Sequence, residues 1–131
     1  MEQLKEARKA LEFALEELKR YRRDREVLRL RNACEKGWLA VVLATDTLLV
    51  NFSYKTLESY SERRRMLEDL EAKHPKIAEL GLRDRFGARG NYLHIQGYHE
   101  GTLSDVEVKE ELMRVGEYVD DVEKILKGQL S

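Results

Sequence analysis

Between residues 37 and 50 the chain reads GWLAVVLATDTLLV, with Asp46 as its one formal charge. No period-2 alternation runs through it, and its apolar residues fall on nearly every side of a helix. A helix that is apolar all round has to be wrapped by other elements, because no face of it can be left to water. The run is also too short and too polar to span a bilayer. The wrapping must therefore come from the rest of the chain.

The flanking segments carry the pattern this demands. Leu4, Ala7, Leu11, Ala14, Leu18 and Tyr21 follow a 3-4-3-4-3 spacing and predict an amphipathic helix over 2–22. The central helix extends over 27–50, and 51–56 read as a connection. A shorter third helix, capped by Ser59 or Ser61, carries Tyr60, Leu67 and Leu70. It ends at Lys73 and His74, since the residue before Pro75 resists the α region. Ile77, Leu80, Phe86, Leu93 and Tyr98 predict a fourth helix over 76–98, broken around Gly81. Gly101 is a stop and Ser104 with Glu107 a capping box. The last helix, 105–127, presents Val108, Leu112, Val115, Val119, Val122 and Leu126 at helical spacing. The expectation is an all-α fold: an up-and-down bundle of four long helices plus a short fifth, one domain over 1–131.

Composition agrees. Apolar residues make up 42% and charged residues 37%, with one proline, as in helix-rich globular chains. Glu, Arg and Lys greatly outnumber Asn and Gln, the bias of thermophile proteins. Cys34 is the only cysteine, which excludes an internal disulfide and reads as a buried, inert thiol. The opening MEQLKEARKALEF is charged from the start and predicts no secretory leader, no membrane association and a cytoplasmic location. Net charge is −1, unevenly spread. Residues 19–31 hold seven basic side chains against two acidic ones, and residues 99–131 hold nine acidic against four basic. A basic stretch is an anion or nucleic-acid footprint, or it pairs with the acidic C-terminal segment, within one chain or across a dimer.

The richest chemistry lies in ARGNYLHIQGYHEG, residues 88–101, which holds two of the three histidines. On an α-helix Asn91, His94 and Tyr98 share one face. Gly87, Gly90 and Gly97 imply that something approaches closely, most simply a neighbouring helix. Arg89 precedes His94 by five positions. A guanidinium can hold a phosphodiester and an imidazole can move its proton. On an unbroken α-helix the two point about 140° apart, so they meet only where a helix begins near Arg89 or where a second subunit supplies one of them. Asp46 projects from an apolar face and requires a partner, expected among Arg89, His94, Tyr98 or an arginine of the first helix. Trp38 reads as a core anchor, His74 and His99 as surface, and Arg63, Arg64 and Arg65 as a solvated face. Cysteine pairs, His-Glu-x-x-His, phosphate-cradling glycine loops and Gly-x-Ser-x-Gly are absent from the sequence. No metal and no cofactor are expected.

Taken together, ACEKGWLAVVLATDTLL at 33–49 and NYLHIQGYHEG at 91–101, set between amphipathic first and last helices, resemble the HEPN superfamily (the higher-eukaryote and prokaryote nucleotide-binding domain). Within it the chain looks most like the archaeal PaREP-type proteins. The resemblance implies a homodimer whose active members are metal-independent ribonucleases. It would make Arg89 the phosphate contact and His94 the acid–base group. Gly90 stands where those members carry Asn or Asp after the arginine, with Asn91 one place later. The function expected is therefore binding of RNA, a nucleotide or another phosphate-bearing ligand, with weak or degenerate endoribonuclease activity. Asn91 and Tyr98 would line the groove and Asp46 would support it. The alternative is a non-catalytic protein–protein interaction or assembly module.

Overall fold

The central helix is lined with small side chains, and their placement decides how its neighbours pack. In the computed structural model, which describes residues 2–55 and 59–130, it is α2, Val27–Asn51. Ala33, Cys34, Gly37, Ala40, Val41 and Ala44 are buried along it. The elements packed most closely on it are α1 (Lys5–Asp24), α6 (Asp105–Leu126) and a π-helical segment (Gly90–Glu100). Three shorter helices complete the chain: α3 (Tyr60–Lys73), α4 (Pro75–Ala78) and α5 (Leu82–Arg89). A single 3-10 turn, Glu2–Leu4, precedes α1. No strand occurs among the described residues, and no helix among them is long and apolar enough to cross a membrane.

The expected stripes are the buried ones. Leu4, Ala7, Ala14 and Leu18 lie inside, as do Val108, Leu112, Val115, Val119 and Val122. Ser59 caps α3 by accepting from the Glu62 N–H, and Ser104 and Glu107 form the full capping box of α6. The expected fourth helix differs. Instead of one helix over 76–98 there are α4, α5 and the π segment, so among the described residues the four-plus-one count becomes six α-helices with a π continuation. Pro75 starts α4 at its first turn, where a missing N–H costs nothing. Gly81, at φ +64°, then turns the chain into α5. The connection expected over 51–56 is seen through Lys55; Thr56 lies outside the described residues.

Cross-links between helices fix their directions. Arg8 of α1 reaches Asp120 and Glu123 near the end of α6, while Arg22 reaches Asp105 at its start. These two helices therefore run in opposite senses. Thr45 and Tyr118 join α2 to α6 at 2.6 Å. The Thr45 hydroxyl already donates to the Val41 carbonyl, so the buried Tyr118 hydroxyl donates to Thr45. The π segment runs against α2, with Gly90 over Trp38 and Gly97 over Cys34. A Cβ on Gly97 would fall 2.5 Å from Cys34 Sγ and 3.1 Å from the Tyr92 carbonyl oxygen. Burial pushes the Cys34 thiol up to about 12, with Glu111 and Glu35 adding to it. That suits an inert thiol and not a reactive one.

Two outcomes follow. Gly97→Ala should destabilise the chain by about 1–3 kcal/mol, the usual overpacking range, read from the midpoint of chemical denaturation. Hydrogen bonds from Arg8 and then Lys127 hold the Glu123 carboxyl at about 2 against a usual 4.5. A depressed folded value means that its stabilisation is present above pH 4.5 and is lost as pH falls toward 2. Glu123→Gln should therefore flatten the acid side of the stability–pH curve in that window, measured by thermal melts across pH.

Candidate functional site

The π segment determines which side chains of residues 88–101 meet. Its hydrogen bonds run i→i+5, so residues five apart overlie one another, as residues four apart do in an α-helix. His94 and His99 are such a pair. Their Nε2 atoms lie 3.2 Å apart with the rings at 79°. Tyr98 stacks on His94 at 6.1 Å and meets His99 edge-on at 5.0 Å. His99 is thus part of the cluster and not the unremarkable surface residue expected. Tyr98 contributes a ring face and not a hydrogen bond to the imidazole.

Glu35 of α2 completes the cluster. Its Oε1 is 2.8 Å from His94 Nδ1. A carboxylate only accepts, so Nδ1 carries the proton and a neutral His94 turns a bare Nε2 toward His99, whose Nε2–H then donates. Glu35 was in plain view in the ACEKGW run. Only the register between α2 and the π segment shows that it faces His94.

Two hollows flank this ridge. One, of about 450 Å³, is lined by Trp38, Val42, Tyr60, Arg63, Asn91, His94 and Ile95, with Gly87 and Gly90 at its floor. Trp38 leans on Phe86 at 5.1 Å, and Tyr60 stacks on Phe86 at 5.2 Å. Trp38 is therefore half core anchor and half wall. A Cβ on Gly90 would come within 3.1 Å of Tyr60 and 3.2 Å of Trp38, so glycine there lets the aromatic wall seat against the backbone. The other hollow, of about 570 Å³, is lined by Glu17, Leu28, Arg29, Arg31, Asn32, Tyr98 and His99. Arg31 donates to the His99 carbonyl at 3.0 Å, while its buried Nε has no partner.

The candidate residues separate. Asn91 and His94 share the aromatic hollow, and Tyr98 sits across the ridge from it. Asp46 is held by Arg63 of α3 in a two-pronged ion pair at 2.7 and 3.0 Å, not by Arg89, His94, Tyr98 or the first helix. Arg63 correspondingly leaves the solvated face expected for the Arg63–Arg65 run. The α2–α3 packing decides both assignments. Arg89 opens onto different hollows, beside Glu107, Glu110, Glu117 and Asp121. It is 7% exposed, and its Nε donates to Glu111 Oε1 at 2.7 Å. Arg114 takes the other Glu111 oxygen. Within one chain Arg89 and His94 are not brought together. The basic 19–31 stretch is partly paired inside the chain, through Arg22 with Asp105 and through Arg29 with Asp24 and Glu17. Among the described residues no group of three or more His, Cys, Asp or Glu is placed to hold a metal ion.

Compared with protein-family models, with curated proteins and with solved structures, the chain matches none. Its site is read from its own geometry.

Breaking one side of a buried ion pair strands the other charge and costs about 3–5 kcal/mol. Glu111→Leu should therefore destabilise strongly by denaturant unfolding, and adding Arg89→Met should recover most of that loss. An Arg89 whose role is phosphate contact would instead leave stability nearly unchanged in Arg89→Met and give no such recovery.

Proposed function

We propose that this chain is a HEPN-like, homodimeric helical bundle that binds RNA, or another nucleotide-bearing ligand, on the face built by α2, the start of α3 and the π segment. One observation carries the reading. An aromatic-walled hollow with Asn91 and His94 at its edge adjoins, across the His94–His99 contact, a hollow lined by Arg31 and Asn32 and by Arg29, which is paired with Glu17 there. Single-stranded nucleic acids are held by this combination, a ring face for the base beside cations for the backbone. Trp38 and Tyr60 offer the rings and Arg31 the nearest cation to the ridge. Burial of Arg89 against Glu111 favours binding without efficient cleavage, since the guanidinium that would hold the scissile phosphate faces away from the His94 hollow. That same burial favours the alternative, an assembly module, only for Arg89 itself, whose ion pair fastens α5 to α6.

Trp38, the only tryptophan, provides the readout. Short single-stranded RNA should quench its fluorescence, with an affinity that falls as salt rises, since each phosphate contact releases counterions. Base–aromatic stacking is worth about 1–3 kcal/mol, so Tyr60→Ser should weaken binding roughly fivefold to 150-fold. Arg89→Met should leave it unaltered. RNA that neither quenches Trp38 nor is retained at low salt defeats the proposal. Efficient cleavage in EDTA that His94→Ala abolishes would restore the ribonuclease reading.

A further inference from the structure

The imidazole pair has a geometry that the binding reading does not use. Two nitrogens coordinated to one tetrahedral zinc at about 2.0–2.1 Å each stand roughly 3.3 Å apart. His94 Nε2 and His99 Nε2 are 3.2 Å apart. The Glu35 carboxylate takes His94 Nδ1, which leaves the Nε2 lone pair facing His99. An ion seated between the rings replaces that hydrogen bond, with the His99 proton shifted to its Nδ1, and makes a carboxylate–histidine–metal arrangement. Arg31 tethers the backbone of His99 through its carbonyl, and Tyr98 packs on both rings. Two neighbouring corners of a tetrahedron are therefore in place.

Two imidazoles are half a site. No third His, Cys, Asp or Glu joins them among the described residues, so the other corners have to come from outside the chain. The pair stands on the outer side of the π segment, where Ile95 and Tyr98 are 47% and 38% exposed. A two-fold axis through the ion would place the same two histidines of a second copy at the remaining corners. The closed, self-complementary contact would also cover those apolar side chains.

We propose that His94 and His99 bind a borderline divalent ion of the Zn²⁺ and Co²⁺ class at a two-fold contact between two copies of this chain, with Glu35 positioning His94. The inference rests on the homodimer of the proposed function for its second copy; an ion shared by two copies closes the His94–His99 ridge, so ion and RNA compete for it. Imidazole ligands suit these ions, and four of them exclude water from the coordination shell.

The test uses the full chain, stripped with EDTA and titrated with Co²⁺ or Zn²⁺, following mass by sedimentation and Co²⁺ absorption. The expected result is one ion per two chains, a shift from monomer to dimer and the intense visible bands of tetrahedral cobalt. All three should be lost in His94→Ala and in the exposed-site variant His99→Ala, with circular dichroism confirming that both fold. Glu35→Gln should keep the stoichiometry and weaken affinity about tenfold to hundredfold. Ion uptake that His99→Ala leaves intact, or one ion per chain with no change in mass, overturns the proposal. A dimer that persists in EDTA and takes up no ion overturns it while leaving the homodimer standing. A monomer that takes up no ion defeats both. RNA retention is scored separately.

Discussion

Between Gly97 and Cys34 there is no space for one further carbon, and the rest of the site depends on that contact. It sets how deep the π segment sits on α2 and in which register. From this register follow Glu35 opposite His94, Trp38 beneath Gly90 and Leu93 against Gly37. A side chain at 97 would have to lift the segment or displace Cys34, and every pairing along the seam would shift with it. Small residues on the inner helix serve the same end elsewhere. Gly37 receives Leu112 from α6, and the buried alanines let α1 close on the remaining side. Protein interiors pack as densely as crystals, so a seam of this kind fixes position as well as adding stability.

Helical periodicity made the outer frame readable. The stripes of α1 and α6, the Ser59 cap and the Ser104–Glu107 box are all local patterns with a 3.6-residue or i,i+3 signature, and local patterns survive tertiary packing. The π segment has no such signature. Nothing in GNYLHIQGYHE distinguishes an i→i+5 ladder from an i→i+4 one, so angles drawn on an α-helix misplace its side chains. Those angles put Asn91, His94 and Tyr98 on one stripe and leave His99 aside; the wider coil makes His99 the nearest ring to His94. The glycines were informative for a different reason. A helix interior rich in glycine needs a close neighbour to justify its entropy cost, and Cys34, Trp38 and Tyr60 are those neighbours. The partners of Asp46 and Arg89 were not legible, because each depends on how two helices distant in sequence are juxtaposed.

Arginine in this chain works mainly as a fastener between helices. Arg8 and Arg22 tie α1 to α6, Arg63 ties α3 to α2, Arg85 and Arg89 tie α5 and its end to α6. Most of these pairs are partly exposed, where each contributes little singly. Arg89 with Glu111 is the buried one, and a buried pair is tolerated only when every oxygen and N–H near it is satisfied. Arg114 on the second carboxylate oxygen meets that condition. The basic stretch over 19–31 is in part a set of internal ties, through Arg22 and Arg29, and net charge alone says little about the ligand.

Under the proposed reading, the location of the remaining cations decides how a ligand lies. The aromatic hollow contains one guanidinium, Arg63, and both of its prongs are on Asp46. A phosphate entering there would have to displace a carboxylate already seated in two-pronged geometry, while its apolar neighbours Trp38, Val42 and Ile95 offer nothing to its charge. A base, by contrast, meets ring faces, the Asn91 amide and an imidazole edge. Across the ridge the balance reverses, for the Arg31 guanidinium is held there by the His99 carbonyl, with no carboxylate on it among the described residues, and Asn32 lines the same hollow. The favoured orientation therefore puts the base in the hollow of Trp38 and Tyr60 and the phosphate toward Arg31. His94 and His99 then lie between them, at the sugar, and a ligand lacking either end would lose half of what holds it.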